Sequence, residues 1–252
     1  MSKKLLLRAD DLGYSEAVNL GIVKALDGGL IKSLGVMVNM PATKHGVDLI
    51  KSKVYDIALS VHVNICAEKP LTDPAFIPSL VDEKGYFKSS KVYRASQEDF
   101  VQLDEVLLEI EAQYQRFVDL FGRKPDYFEG HAVSSATFFK GLEIIAKKHG
   151  LKYSPFSMGG ETVTIGQHQV QYRMDSMLLD YDPFEMIRDM ANKAEGDVVQ
   201  LGVFHPGYLD HYILQHSSLL NARTLEVEVL TNPETKKHLE AANVELLDYR
   251  DL

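Results

Sequence analysis

Short apolar runs alternate along this chain with segments whose apolar residues recur every three to four positions, and polar residues gather where the runs end. Lys4 to Arg8 is the first run; it empties into Ala9-Asp10-Asp11-Leu12-Gly13 and reads as a buried strand followed by a polar turn. Ser15 is a favourable helix N-cap, Val18, Ile22, Ala25 and Leu26 share one face, and Gly28-Gly29 makes a stop. The unit then recurs. Leu34 to Met40 reads as a second strand, Pro41 opens a helix through Val47, Leu49 and Ile50, and Asp56 to His62 reads as a third strand. From Asn64 to Ser96 there is no period, and Pro70, Pro74, Pro78 and Gly85 break the chain, so this stretch reads as a long loop inserted after the third strand.

The strongest helical period runs from Gln97 to Phe121, through Phe100, Leu103, Val106, Leu107, Ile110, Tyr114, Phe117 and Leu120, and Gly122 ends it. Its charged residues Glu105, Glu109, Glu111 and Arg116 read as a solvated face. A short strand then ends in Glu129-Gly130-His131, ahead of a helix with Phe139, Leu142, Ile145 and Ala146. Lys152 to Phe156 reads as a further strand, and alternation at Val163, Ile165, Val170 and Tyr172, within the Gly-rich stretch Ser157 to Asp180, suggests a hairpin. A helix over Pro183 to Ala194, an apolar strand from Asp197 ending in His205-Pro206-Gly207, a helix over Pro233 to Ala242 and a strand at Val244 to Tyr249 complete the pattern. Strands alternating with helices, about seven of them and with no linker, place the chain in the α/β class as a single domain over residues 1–252. A barrel or partial barrel fits this count better than two domains.

Composition narrows the function classes. With 252 residues the chain lies in the range of one α/β barrel, and 45% hydrophobic with 25% charged residues is ordinary for a chain with a sizeable core. A balance of 27 basic against 36 acidic residues gives a formal net charge of −9, with no basic run beyond pairs, which speaks against nucleic-acid binding. The lone Cys66 excludes an intrachain disulfide and a thiolate zinc cluster, and reads as a small packed residue. The apolar run near the N-terminus is too short for a signal peptide and no stretch reaches membrane-spanning length, so no membrane partner and a cytoplasmic address are the expectations.

The residues that could carry chemistry share one position in the pattern. Asp10, Asp11, His62, His131 and His205 all fall at or just beyond the C-terminal ends of separate expected strands, the edge where sites assemble in α/β barrels and sheets. One carboxylate and two neutral imidazoles suit a divalent ion with open positions, so Asp11, His62 and His131 form a candidate three-ligand set. Taken singly, each has an ordinary explanation: paired Asp before Gly is common in turns, and a histidine amid Leu59, Val61 and Val63 is commonly a hydrogen-bonded core residue. His45, His149 and His238 read as solvated, while His211 and His216 fall in a loop within reach of the His205 strand.

Arg8-Ala9-Asp10-Asp11-Leu12-Gly13-Tyr14-Ser15, followed by Val18-Asn19 and Gly21-Ile22, resembles the opening of the YdjC-like carbohydrate deacetylases. Further matches are Ser33 to Asn39, Val61-His62-Val63-Asn64, Phe121-Gly122-Arg123-Lys124-Pro125, His205-Pro206-Gly207, Leu225 to Thr231 and Tyr249-Arg250-Asp251, so the resemblance covers essentially the whole chain. It implies an incomplete or distorted (β/α) barrel, a homodimer, and metal-dependent removal of acetyl groups from N-acetylated sugars such as chitooligosaccharides. It also implies Asp11, His62 and His131 as metal ligands and Asp10 as the catalytic aspartate; His205 is the candidate acid. Magnesium and zinc head the candidate ions, with manganese and iron also permitted by oxygen–nitrogen ligation. The chain departs from the family pattern after His131, where Ala132-Val133-Ser134-Ser135 replaces a run with several histidines, and Glu129 stands where Asp is more usual.

Two rivals stand beside this reading: a barrel isomerase, lyase or phosphoesterase using the same Asp-His-His set, and a catalytically weakened sugar-binding protein. With no Trp in the chain, a platform for a sugar ring falls to Tyr or Phe, and the Asn64 to Ser96 loop is the first place to look.

Overall fold

The strand β1, Lys3–Leu12, is the one around which the sheet is ordered. In the computed structural model, which describes residues 3–157, 160–194 and 196–252, it runs parallel to β2 (Ser33–Val36) on one side and to β8 (Val199–Phe204) on the other. The parallel array continues beyond β2 through β3 (Ala58–Val63), β4 (Tyr127–Gly130) and β5 (Lys152–Tyr153), and beyond β8 through β7 (His168–Arg173). Antiparallel to β7 lies β6 (Thr162–Ile165), and β9 (Val244–Leu247) pairs with the first half of β1. The order β5-β4-β3-β2-β1-β8-β7-β6 is that of a nearly closed barrel with no backbone ladder between β5 and β6. Side chains span the seam instead: the hydroxyls of Ser154, just past β5, and Tyr172 on β7 are hydrogen-bonded, and Ser154 Oγ lies 3.0 Å from Tyr249 Oη.

Around the barrel stand α1 (Glu16–Asp27), α2 (Thr43–Lys51), α3 (Ser90–Ala95), α4 (Leu103–Phe121), α5 (Ala136–His149), α6 (Pro183–Lys193), α7 (His211–His216), α8 (Asn221–Thr231) and α9 (Pro233–Ala241). The period of two along each strand sorts its side chains into two cores. Leu5, Leu7, Ala9, Leu34, Leu59, Val61, Val63 and Phe128 pack against the helices. Leu6, Ala58, Tyr127, Val199, Leu201 and Val203 fill the barrel with Val170, Tyr172 and Tyr249, the rings of Tyr127 and Tyr249 stacking at 3.6 Å. On those inward faces, beyond the apolar plug, come Arg8, Asp10, Ser60, His62 and Glu129. The barrel is thus dry at one end and charged at the other.

The seven expected strands and the hairpin are present among the described residues, with Met158 and Gly159 of the Gly-rich stretch lying outside them. Several boundaries differ. Asp10 and Asp11 belong to β1 itself instead of a turn, β2 stops at Val36, and α2 begins at Thr43 instead of Pro41. The long helix begins at Leu103 instead of Gln97 because Asp99 is engaged elsewhere, accepting the Thr137 N–H at 2.8 Å and the Ser135 hydroxyl at the start of α5. The insertion after β3 is ordered by α4: Glu109 accepts the Leu71 and Thr72 N–H groups at 3.2 and 2.9 Å, and Gln113 bonds both backbone groups of Asn64. Glu109 is therefore buried and not part of a solvated face, while Glu105 accepts the Ser79 N–H and Glu111 meets His149. No helix among the described residues is long and apolar enough to cross a membrane.

One close approach sets the position of the His205 turn. A Cβ on Gly21 of α1 would lie 2.4 Å from Gly207 Cα, and the Tyr208 N–H bonds the Ala17 carbonyl at 3.2 Å. Gly21→Ala should therefore force helix and turn apart and cost about 1–3 kcal/mol, read as a lowered urea midpoint. An unchanged midpoint would contradict this packing.

A candidate metal centre at the barrel mouth

The paired aspartates reach one site because β1 carries an extra residue there. Its register with β2 runs Arg8 to Ser33 and Ala9 to Leu34, then jumps to Leu12 opposite Val36, and Asp11 takes a φ of 76°. Such a bulge re-aims a side chain that alternation would send to the opposite face. Asp10 and Asp11 consequently both face the mouth, where β3 delivers His62 and the end of β4 delivers Glu129 and His131.

Three polar atoms converge. His62 Nε2 and His131 Nδ1 stand 3.0 Å apart, and Asp11 Oδ1 lies 3.3 Å from the first and 3.2 Å from the second. Ligands of a tetrahedral ion with bonds of about 2.0–2.1 Å stand roughly 3.3 Å apart, so the triangle has the dimensions of such a set. Asp11 Oδ1 is buried and makes no hydrogen bond of good geometry. Its other oxygen accepts Arg223 Nη2 at 2.8 Å, which leaves Oδ1 for a ligand. Burial alone would raise the Asp11 carboxyl, but Arg223 and His131 hold it well below the usual carboxylate range. Burial alone would lower His62, yet Asp10 and Glu129, with Asp11, push it up to about 10. The pocket calls for positive charge, and a divalent ion would take over from that proton. The residues present fit a divalent ion.

A second cluster, Asp10, His62 and Glu129, is already supplied with a cation. Arg8 grips Asp10 with both arms of its guanidinium, Nε to Oδ1 at 2.7 Å and Nη2 to Oδ2 at 2.9 Å, and its Nη1 pairs by distance with Glu129 Oε2 at 2.6 Å, outside hydrogen-bond angles. This fork geometry fixes a carboxylate's orientation. Glu129 also accepts the Ser60 hydroxyl at 2.6 Å, and its Oε1 lies 3.5 Å from His62 Nδ1.

His205, at the end of β8, lies half-buried beside this group with its ring Nδ1 buried and unpartnered, and its backbone N–H donates to Glu226. Burial lowers the ring to about 4 against the attraction of Asp11 and Asp10. Glu226 also accepts the Tyr181 hydroxyl at 2.9 Å, and burial pushes its carboxyl up to about 8. Sequence reasoning missed Arg8, Arg223 and Glu226 as site residues. Arg223 and Glu226 lie on one buried face of α8, where charge at helical spacing hid the apolar period; the i, i+3 pairing of opposite charges was the available signal.

The other histidines stay out of the triad. His149 stacks on Tyr114 at 3.8 Å and meets Glu111 at 3.0 Å, His45 contacts Asn19 at 3.2 Å, and His238 has a buried Nε2, so none of the three is simply solvated. His211 and His216 bound the short helix α7 instead of lying in a loop. Cys66 is buried and its thiol is pushed up to about 12 by burial. Beyond His131, Val133 is buried and Ser135 caps α5 by accepting the Phe138 N–H at 3.0 Å, so this stretch turns to helix initiation.

Fold and site together define a distorted (β/α) barrel with a buried carboxylate–imidazole cluster fitted to a divalent ion. The chain belongs to the YdjC-like protein family, whose profile matches residues 4–241. It is 32% identical to carbohydrate deacetylase 2 of Listeria innocua, over 99% of this chain and 98% of that protein, and 29% identical to the chitooligosaccharide deacetylase of Serratia marcescens, over the full length of both. A crystal structure from Enterococcus faecalis V583, of a protein provisionally named for cellobiose-phosphate cleavage, superposes with a TM-score of 0.84 at 25% identity, covering 100% of this chain and 99% of that one. The T48 deacetylase with substrate shares the fold at a TM-score of 0.52 and 12% identity, over 98% of this chain and 89% of that one.

Glu226 gives a pH signature. Its carboxyl is raised in the folded state, so its contribution to stability is fully present below the ordinary glutamate range and is lost as pH rises towards about 8. Glu226→Gln, which keeps an acceptor for the His205 N–H, should raise the urea midpoint relative to the native protein at pH 8 and show that gain shrinking towards pH 5. A gain independent of pH would contradict the assignment.

Proposed function

We propose that the chain is a metal-dependent carbohydrate N-deacetylase that hydrolyses the acetamide of a small N-acetylated saccharide of the chitooligosaccharide kind. The whole chain serves as one barrel domain with an insertion around residues 64–96. Asp11, His62 and His131 hold the ion, Asp10 is the general base and His205 the general acid. The observation that carries this reading is the unpartnered Asp11 Oδ1, facing two imidazole nitrogens beside an arginine-clamped Asp10. The names of its full-length relatives supply the chemistry and substrate class.

A bound divalent ion supplies Lewis acidity, polarising the acetyl carbonyl and easing deprotonation of water. Zinc or magnesium is the proposed ion. Asp10 takes the proton of the attacking water; its fork with Arg8 leaves lone pairs on both oxygens and fixes where they point. Burial and repulsion from Glu129 raise the Asp10 carboxyl above the ordinary aspartate range against the pull of Arg8, which makes it a stronger base. His205 is neutral at rest, so it first takes a proton from solvent, to which its half-buried ring is open, and gives that proton to the sugar amine as the C–N bond breaks, while Asp10 returns the water's proton to solvent. Arg223 holds Asp11 from behind and keeps one oxygen out of the reaction.

A cytoplasmic address is part of this reading, and the exposed apolar residues Met174, Met177, Leu178 and Leu179 support a homodimer.

The test is acetate release from a panel of N-acetylated mono- and disaccharides by protein stripped of metal and reconstituted with each divalent ion. Acetate should appear only with metal. No acetate from any sugar with any ion would overturn the reading. Asp10→Asn should lower kcat by about a hundredfold or more with metal content intact, and His62→Ala should lose both; full turnover in Asp10→Asn would reject Asp10 as the base.

A further inference from the structure

Sugar rings offer an apolar face of C–H groups, which flat aromatic side chains can receive. Among the described residues four Phe and Tyr side chains are strongly exposed: Phe76, Tyr86, Phe156 and Tyr208. Three of them belong to the connections that follow β3 and β8. Phe76 and Tyr86 belong to the insertion after β3, and the Lys69 ammonium covers the Tyr86 ring at 4.9 Å. Tyr208 lies against the start of α1 through its backbone bond to Ala17.

Phe156 is different. It follows Ser154 by two residues, and the Ser154 hydroxyl lies inside the barrel, accepting Arg8 Nη1 at 3.3 Å. The Phe156 ring is 43% exposed and rests 5.1 Å from the Phe139 ring. Phe139 in turn runs beside Gly130, where a Cβ would lie 3.3 Å from its Cζ, and Gly130 immediately precedes His131. Gly130, Phe139 and Phe156 are therefore neighbours, which sets the exposed Phe156 ring beside the end of β4 that delivers His131.

The opposite side of the mouth is strapped. The Tyr212 hydroxyl, from α7, donates to the Glu68 carboxylate in the insertion after β3, joining connections that belong to β8 and β3 above the intervening β1 and β2. Tyr14 sits under this strap, edge-on to Tyr212 at 6.1 Å and tilted against His131 at 5.9 Å. Phe156 stands away from this strap, beside β4 and the unsealed seam.

We infer that Phe156, backed by Phe139, is the platform on which a pyranose ring of the acetylated saccharide stacks; this rests on the deacetylase reading above. The experiment compares the native full chain, Phe156→Ala and Phe156→Trp, all metal-reconstituted, with N,N′-diacetylchitobiose. Phe156→Ala should raise KM about tenfold with kcat within about twofold, and Phe156→Trp should restore KM. Matching thermal midpoints confirm that the exposed position does not alter folding. An unchanged KM in Phe156→Ala, or a loss confined to kcat, overturns the platform while acetate release by the native protein upholds the deacetylase. If the native protein releases no acetate, calorimetric titration with the same disaccharide decides: weaker binding by Phe156→Ala supports the platform, and equal binding or none by the native protein overturns it.

Discussion

Two adjacent carboxylates buried on one strand cannot both stay ionised unless opposite charge comes in with them. Arg8 and Arg223 meet this requirement from two sides, and much of the molecule is arranged around them. Arg8 comes from β1 itself, below the aspartates, and is held by Asp10, Glu129 and the hydroxyls of Ser154 and Tyr249, which ties the aspartate pair to the seam of the barrel. Arg223 comes from α8 and joins Asp11 to the turn that carries His205, since its Nη1 also reaches the His205 carbonyl. The remaining space is tight: a Cβ on Gly35 would lie 2.3 Å from Glu129 Oε1 and 3.2 Å from Asp10 Oδ1.

The two arginines treat the two aspartates differently, and chemistry follows from the difference. Asp10 is gripped by both oxygens and so has a fixed direction, as a base needs. Asp11 is gripped by one oxygen and keeps the other facing His62 and His131, as a ligand needs. Without the bulge at Asp11 the strand's period of two would send these side chains to opposite faces, and neither role could be filled beside the other.

The C-terminal edge of the strands was legible in the sequence because apolar runs ended in Asp and His, and Asp10, Asp11, His62, His131 and His205 all come to that edge. What supports them was not. Arg8 closed an apolar run and looked like a strand's polar end, although it points into the barrel. Glu109 looked like part of a solvated stripe because the insertion that buries it shows no period of its own. α8 went unseen because Arg223 and Glu226 occupy its buried face, and a buried charge with a distant partner leaves no local pattern. Pairings across 212 residues, such as Arg223 with Asp11, are set by the fold and not by spacing.

Asp11 Oδ1, without a hydrogen bond, and its two imidazole neighbours are the proposed metal site. Anomalous diffraction from crystals of the zinc-loaded protein, collected on either side of the metal edge, tests it most directly. The account expects a single strong peak bonded to Asp11 Oδ1, His62 Nε2 and His131 Nδ1, with Arg223 still on the other oxygen of Asp11. A peak among Asp10, His62 and Glu129 with Arg8 displaced, or no peak at the barrel mouth, would contradict it.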